Sequence, residues 1–298
     1  MSTKQTFHPV FGVLLIVMGV GVAGAALIGP LVGEIVRFHA SQGAINQIMG
    51  GDVAALFLVA PVSILAGILA LRGHRAAPVL ALGPSVFALY TYTQLALGGD
   101  VNRYPGNSER FFLLYLALFV LGGAIVFPAW AAIDPDRLPG TSRSADRWLG
   151  WFLLVVAIFL VVGLHVRGLL DAWSASPSAP DYLADPGPFW LVKFMDLGIV
   201  LPGMGAIAVG ILRGSKWART AKYAAVGWLA LLGSAVLGMS IVMQTTGDPA
   251  ASVVNTVAFG AFAAVGMTVA VRLYRRLFVR TVGGSETYRL RREQGHPA

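Results

Sequence analysis

Two aspartates stand in or beside long apolar runs: Asp196 follows Leu191–Met195, and Asp52 opens the run Val53–Leu71. A carboxylate at membrane depth is costly to hold, so it is by default a functional group, one that can take up a proton or meet a cation. The structural alternatives are specific. Lys193 lies three residues before Asp196 on the same helical face, which suits a salt bridge, and Asp52 at the head of its run suits a helix N-cap. A second set lies at the ends of the first and fifth apolar runs: Glu34, Arg37 and His39, then His165, Arg167 and Asp171. Spacings of three and four residues allow local ion pairs there, and His39 and His165 could both face one pocket. Two histidines without a partner motif are a poor metal or haem signal, so no metal site is expected. A third set is Tyr90, Tyr92, Thr93 and Gln94, with Tyr90 and Gln94 on one helical face; Ser240 and Gln244 sit at a comparable depth in a later run. Such side chains suit an interfacial aromatic belt, helix–helix hydrogen bonds or a ligand lining.

Motifs that would specify other chemistry are missing. There is no cysteine, so disulfides, thiolate metal sites and thiol catalysis are excluded. No phosphate loop, no G-x-S-x-G and no H-E-x-x-H occurs, and small-residue spacings such as Gly19-x-Gly21-x-x-Gly24 suit close helix packing.

The elements that must carry these groups are membrane helices. The 298 residues are 56% hydrophobic and only 12% charged, half the charge a soluble surface needs. Apolar blocks run from Val10 to Val36, Val53 to Leu71, Ala77 to Leu97, Phe111 to Ile133, Trp148 to Leu170, Leu191 to Leu212, Tyr223 to Met243 and Ala251 to Tyr274. Each approaches the length of about 20 residues that a helix needs to cross a bilayer. The fold class expected is therefore an all-α integral membrane protein of about eight spans. Of the 22 lysines and arginines, all but Arg37, Arg103, Arg110, Arg167 and Lys193 fall in alternate loops and the C-terminal tail. That bias places both termini in the cytoplasm of a plasma membrane. It also reads the net charge of +8 as attraction to anionic membrane lipids rather than nucleic acid.

The halves align. Asp52, Pro61, Gly67 and Leu71-Arg72-Gly73 are answered by Asp196, Pro202, Gly210 and Leu212-Arg213-Gly214, with aspartate-to-glycine separations of 15 and 14 residues. Gly99-Asp100 is answered by Gly247-Asp248. The expected organisation is a four-helix repeat over 1–133, a cytoplasmic linker over 134–146, a second repeat over 147–275 and a basic tail over 276–298. An even number of spans per unit puts the pseudo-twofold axis along the membrane normal. The loop over 171–189, with four prolines, is expected to cover the outer face.

The combination of Gly51-Asp52 followed by Pro61, Tyr90-x-Tyr92, Phe111-Phe112-Leu113-Leu114-Tyr115, and Asp196-Leu197-Gly198 followed by Pro202 resembles a widespread family of uncharacterised prokaryotic eight-span membrane proteins. The resemblance covers most of both halves and implies the architecture, with no activity, cofactor or catalytic residue attached. Haem A synthases also have two four-helix halves, but their matched intramembrane histidines are missing here. The function expected is binding or transport of a small molecule or ion in a polar pocket near the outer leaflet. Asp52, Asp196, Tyr90, Tyr92 and Gln94 would line it, with His39, His165 and Arg167 at its mouth. The alternatives are an integral membrane enzyme acting on a lipid-soluble substrate or quinone, and a non-catalytic scaffold or sensor subunit.

Overall fold

The computed structural model describes residues 9–279. Most of the basic tail over 276–298, and Lys4, therefore lie outside the described residues. Among the latter, eight long helices account for the bundle: α1 (Pro9–Ile28), α2 (Gln42–Leu71), α3 (Ala77–Leu97), α4 (Ser108–Ala132), α5 (Arg143–Ala172), α6 (Pro186–Leu212), α7 (Lys216–Thr245) and α8 (Val253–Leu277). In hydrocarbon a backbone must satisfy its own hydrogen bonds, and helices do so within one segment. Seven of the eight are long and apolar enough to cross a membrane. The remaining one, α3, has 21 residues but carries Tyr90, Tyr92, Thr93 and Gln94 in its last turns, which lowers its hydropathy. It sits among α2, α4 and α7. Large apolar side chains such as Phe57, Leu113, Phe127 and Val254 point outward and are exposed, as expected of a surface that meets lipid rather than water.

Several boundaries differ from those expected. The first helix stops at Ile28, before Gly29-Pro30, instead of running to Val36. The second begins at Gln42, not Val53, because Ser41 caps it by accepting a hydrogen bond from the Ala44 N–H. Asp52 thus lies about three turns inside α2, and its N-cap reading is overturned. The connection between α4 and α5 is ordered: Lys216 and Arg219 pair with Asp136, and the buried Lys222 ammonium donates to Thr141 Oγ1 at 2.6 Å and pairs with Asp146 at 3.0 Å.

Two stretches repeat a geometry at a separation of 141 residues. Pro61 and Pro202 each follow a π turn, Ala55–Val59 and Asp196–Val200. A proline ring clashes with the carbonyl four residues back. Widening the preceding turn relieves this, so Ala60 N–H reaches Ala55 O and Leu201 N–H reaches Asp196 O. Both helices then end on a left-handed glycine, Gly73 (φ 67°) and Gly214 (φ 70°), whose following residue bonds back to Leu69 O and Gly210 O. The packing partners correspond too. A Cβ on Gly12 would strike Leu71 and Gly67 O, and one on Gly150 would strike Leu212 and Ala208 O. This register pairs Asp52 with Lys193 and Ala55 with Asp196. The two aspartates are therefore one helical turn out of step, not equivalent as the sequence spacing suggested.

The two stretches of chain are locked together on α7. A Cβ at Gly50 would lie 2.2 Å from Met239 N, and one at Gly238 would lie 2.4 Å from Gly50 O, so α2 and α7 cross backbone to backbone. Gly83 on α3 meets Gly227 in the same way, at 3.1 Å. Glycine pairs of this kind let helices approach closely where no hydrophobic drive between them exists.

Candidate functional site

Just beyond the Gly50–Gly238 crossing, α2, α3, α6 and α7 diverge around a cavity of about 170 Å³. Its walls include Asp52 from α2, Phe87, Tyr90, Tyr92 and Gln94 from α3, Leu191 and Val192 from α6, and Leu232, Ala235 and Met239 from α7. Phe38, Ala40, Gly98, Gly99 and Pro188 form its rim. Four of the residues expected to line a pocket therefore do so: Asp52, Tyr90, Tyr92 and Gln94.

Asp52 is 9% exposed, and its carboxylate has no hydrogen-bond or ion-pair partner among the described residues. It fits because Gly29 follows the end of α1, and a Cβ there would lie 2.9 Å from Asp52 Oδ2. Tyr92 and Tyr115 lie within its electrostatic reach and stack on each other with centroids 6.0 Å apart.

Tyr90, also in the wall, makes its polar contact behind it. Its hydroxyl donates to Asp196 Oδ1 at 2.6 Å, while His165 Nε2 lies 3.0 Å from Asp196 Oδ2. Asp196 is thus not in the cavity wall but behind it, reached through the Tyr90 hydroxyl. The other ring nitrogen of His165, Nδ1, is buried without a partner. The Tyr90 ring meets Trp228 edge-on at 5.5 Å, and the Trp228 indole N–H is likewise buried without a partner. Both acid and imidazole sit on widened turns, Asp196–Val200 and Phe159–Val166, a helical distortion that recurs at functional sites.

The salt bridge expected between Lys193 and Asp196 is not made. The Lys193 ammonium sits 3.2 Å from the centroid of the Phe189 ring instead, a cation–π contact. His39 and His165 do not converge. His39 lies in the loop before α2, with Nδ1 2.7 Å from Tyr104 O and Nε2 2.6 Å from Glu109. Two acceptors require both ring nitrogens to donate. The Tyr104 carbonyl first and the Glu109 side chain second therefore raise the His39 pKa above its ordinary 6.5. His39 clamps two loops and does not face the cavity. Arg167 is exposed and absent from the rim. The Arg167–Asp171 pairing expected from sequence is not formed, because Asp171 is taken by Ser178 and Ala179, whose N–H and hydroxyl groups it accepts. Glu34 and Arg37 form no ion pair among the described residues either; the Arg37 backbone is held by Asn107.

Contacts the sequence did not suggest tie the loops beside the cavity to one another. Ser41 N–H and Oγ both donate to the Asp185 carboxylate, Asn46 donates to Asp248 at 2.8 Å, and Tyr104 OH donates to Ala184 O at 2.8 Å. Asp185 and Asp248 were legible only as acidic loop residues, since nothing local ties them to Ser41 or Asn46. Among the described residues no cluster of three or more histidine or acidic side chains forms a metal cage. The chain matches no known family model, and neither a curated protein nor a solved structure is significantly similar to it.

Proposed function

We propose that this chain is an eight-span bacterial plasma-membrane protein, built from two tandem four-helix units with both termini cytoplasmic. We further propose that it binds or transports a small molecule or ion in the cavity between α2, α3, α6 and α7, open towards the outer leaflet. The observation that carries the functional reading is the meeting of Asp52, Tyr90, Tyr92 and Gln94 from two separate helices around one cavity. Polar groups at membrane depth that converge on a cavity, rather than on each other, are the pattern of a ligand site. The duplication is supported by the paired π turns and left-handed glycines at a constant separation of 141 residues. The orientation is supported by the cationic bias of alternate loops.

The test of the binding reading is native mass spectrometry on protein purified gently from its own membranes, comparing wild type with Ala44→Phe. Ala44 lines the cavity and is only partly buried, so a phenyl ring there fills the space from the rim. A small molecule or ion retained by wild type and lost in the variant is expected; equal retention in both, or bare protein in both, refutes the reading. Reporter fusions after Ala76 and Ser178 test the topology, and finding both on one side of the membrane would sink it.

A second reading has its own observation. Tyr90 connects the cavity wall to Asp196 and His165 in one hydrogen-bonded chain, the arrangement by which an integral membrane enzyme would pass a proton to a lipid-soluble substrate or quinone. In that case Asp196→Asn abolishes turnover while the ligand is still bound.

A further inference from the structure

Resting on the pocket reading above, we infer that the ligand is an organic monocation, a small protonated amine, with Asp52 as its counter-ion. Asp52 is buried, lines the cavity and has no partner of its own. A lone carboxylate withdrawn from water costs several kcal/mol unless a counter-charge or donors meet it. The protein does not supply them. The nearby cation on α6, Lys193, is seated over Phe189, and the facing phenols of Tyr92 and Tyr115 make no hydrogen bond to Asp52. Either a proton on the carboxyl or a cation in the cavity meets that cost, and the character of the wall favours the cation.

The rest of the wall selects the kind of cation. Phe38, Phe87, Tyr90 and Tyr92 line the same space, and an aromatic lining suits a desolvated organic ammonium better than a hydrated inorganic ion. A calcium or magnesium ion is poorly served, since it needs about six to eight oxygen ligands and the wall offers one carboxylate among mostly apolar surface. The volume of about 170 Å³ is below the roughly 300–1,000 Å³ of pockets for drug-sized ligands, so the amine is small. Gln94 beside the Tyr90 hydroxyl provides a polar contact for the ammonium protons that Asp52 leaves free.

The test compares two probes of the same shape on the full-length protein in lipid nanodiscs: 2-phenylethylamine, a cation at neutral pH, and 2-phenylethanol, which is uncharged. Calorimetric titration is expected to show the amine binding at least about tenfold more tightly than the alcohol, equivalent to about 1.4 kcal/mol. Asp52→Asn should erase that preference, bringing amine and alcohol to within about twofold of each other, and Asp52→Glu should keep the sign of the preference. Wild type that binds the alcohol as tightly as the amine overturns the cation inference and leaves the pocket reading standing, a comparison that holds even if Asp52→Asn fails to fold. A neutral or anionic molecule carried by wild type and displaced by Ala44→Phe overturns it in the same way. If neither probe binds and Ala44→Phe changes nothing, the pocket reading falls and takes the inference with it.

Discussion

Replacing Gly50 by alanine isolates the contact on which the cavity rests, because Gly51 provides a control of identical chemistry. Both glycines lie in the same turn of α2, so alanine at either position gains about 0.5–1 kcal/mol of helix propensity. At Gly51 the new methyl meets only the end of a flexible side chain, Met239 Cε at 3.4 Å, and Gly51→Ala should be neutral or stabilising by that amount. At Gly50 the methyl would lie 2.2 Å from Met239 N and 2.3 Å from Met239 Cα. Backbone cannot rotate aside, so α2 and α7 must part by about 1 Å or more, losing close-packed contacts along the crossing. Overpacking of this kind costs about 1–3 kcal/mol, which exceeds the propensity gain. Gly50→Ala should therefore be destabilised by roughly 0.5–2 kcal/mol relative to wild type and by more relative to Gly51→Ala. It should also lose ligand retention, since the cavity opens directly beyond this crossing. Thermal unfolding in one detergent, with native mass spectrometry on the same samples, measures both effects. Equal stability of the two variants would refute the backbone-to-backbone crossing.

Three further outcomes are expected. Tyr90→Phe and Asp196→Leu each remove one side of a hydrogen bond, and a double-mutant cycle on unfolding free energy should give a coupling of about 1–3 kcal/mol; coupling near zero would mean the two side chains do not meet. Because the folded pKa of His39 is raised above its ordinary 6.5, its clamp on Tyr104 and Glu109 contributes fully below that value and is lost as pH rises through the folded pKa. Unfolding temperature should decline above pH 6.5 in wild type, and His39→Gln should flatten that decline. Ser41→Ala loses the cap of α2 and the hydroxyl half of the tie to Asp185, keeping the backbone N–H bond, and costs about 1 kcal/mol from the cap alone; Asp185→Asn should add less in that background than in wild type, as read by urea unfolding.

What could be read from the sequence was whatever each segment decides for itself. A run of about 20 apolar residues must fold its own backbone bonds in lipid, so the helices and their approximate limits follow from composition alone. The residues to watch followed as well, since a polar group at membrane depth is conspicuous wherever it points. Asp52, Tyr90, Tyr92 and Gln94 were identifiable on that ground, and they do surround one cavity. Where they point was not decided locally. Each π turn adds a residue to its helix, which turns the downstream face by about 100° at 3.6 residues per turn. The π turns recur at a separation of 141 residues, whereas the aspartates lie 144 apart, so aligning the aspartates misplaced the register by about one turn: Asp196 corresponds to Ala55 and Lys193 to Asp52. The rest was set by pairs far apart in the chain. Gly50 against Gly238 fixes how closely α2 approaches α7, Ser41 against Asp185 ties the head of α2 to the loop before α6, and the Phe189 ring takes the cation expected to pair with Asp196. Composition and hydropathy determine that there are membrane helices and which side chains are costly to bury. Only the crossing of helices decides which of those costs are met by a neighbour, and at Asp52 none is.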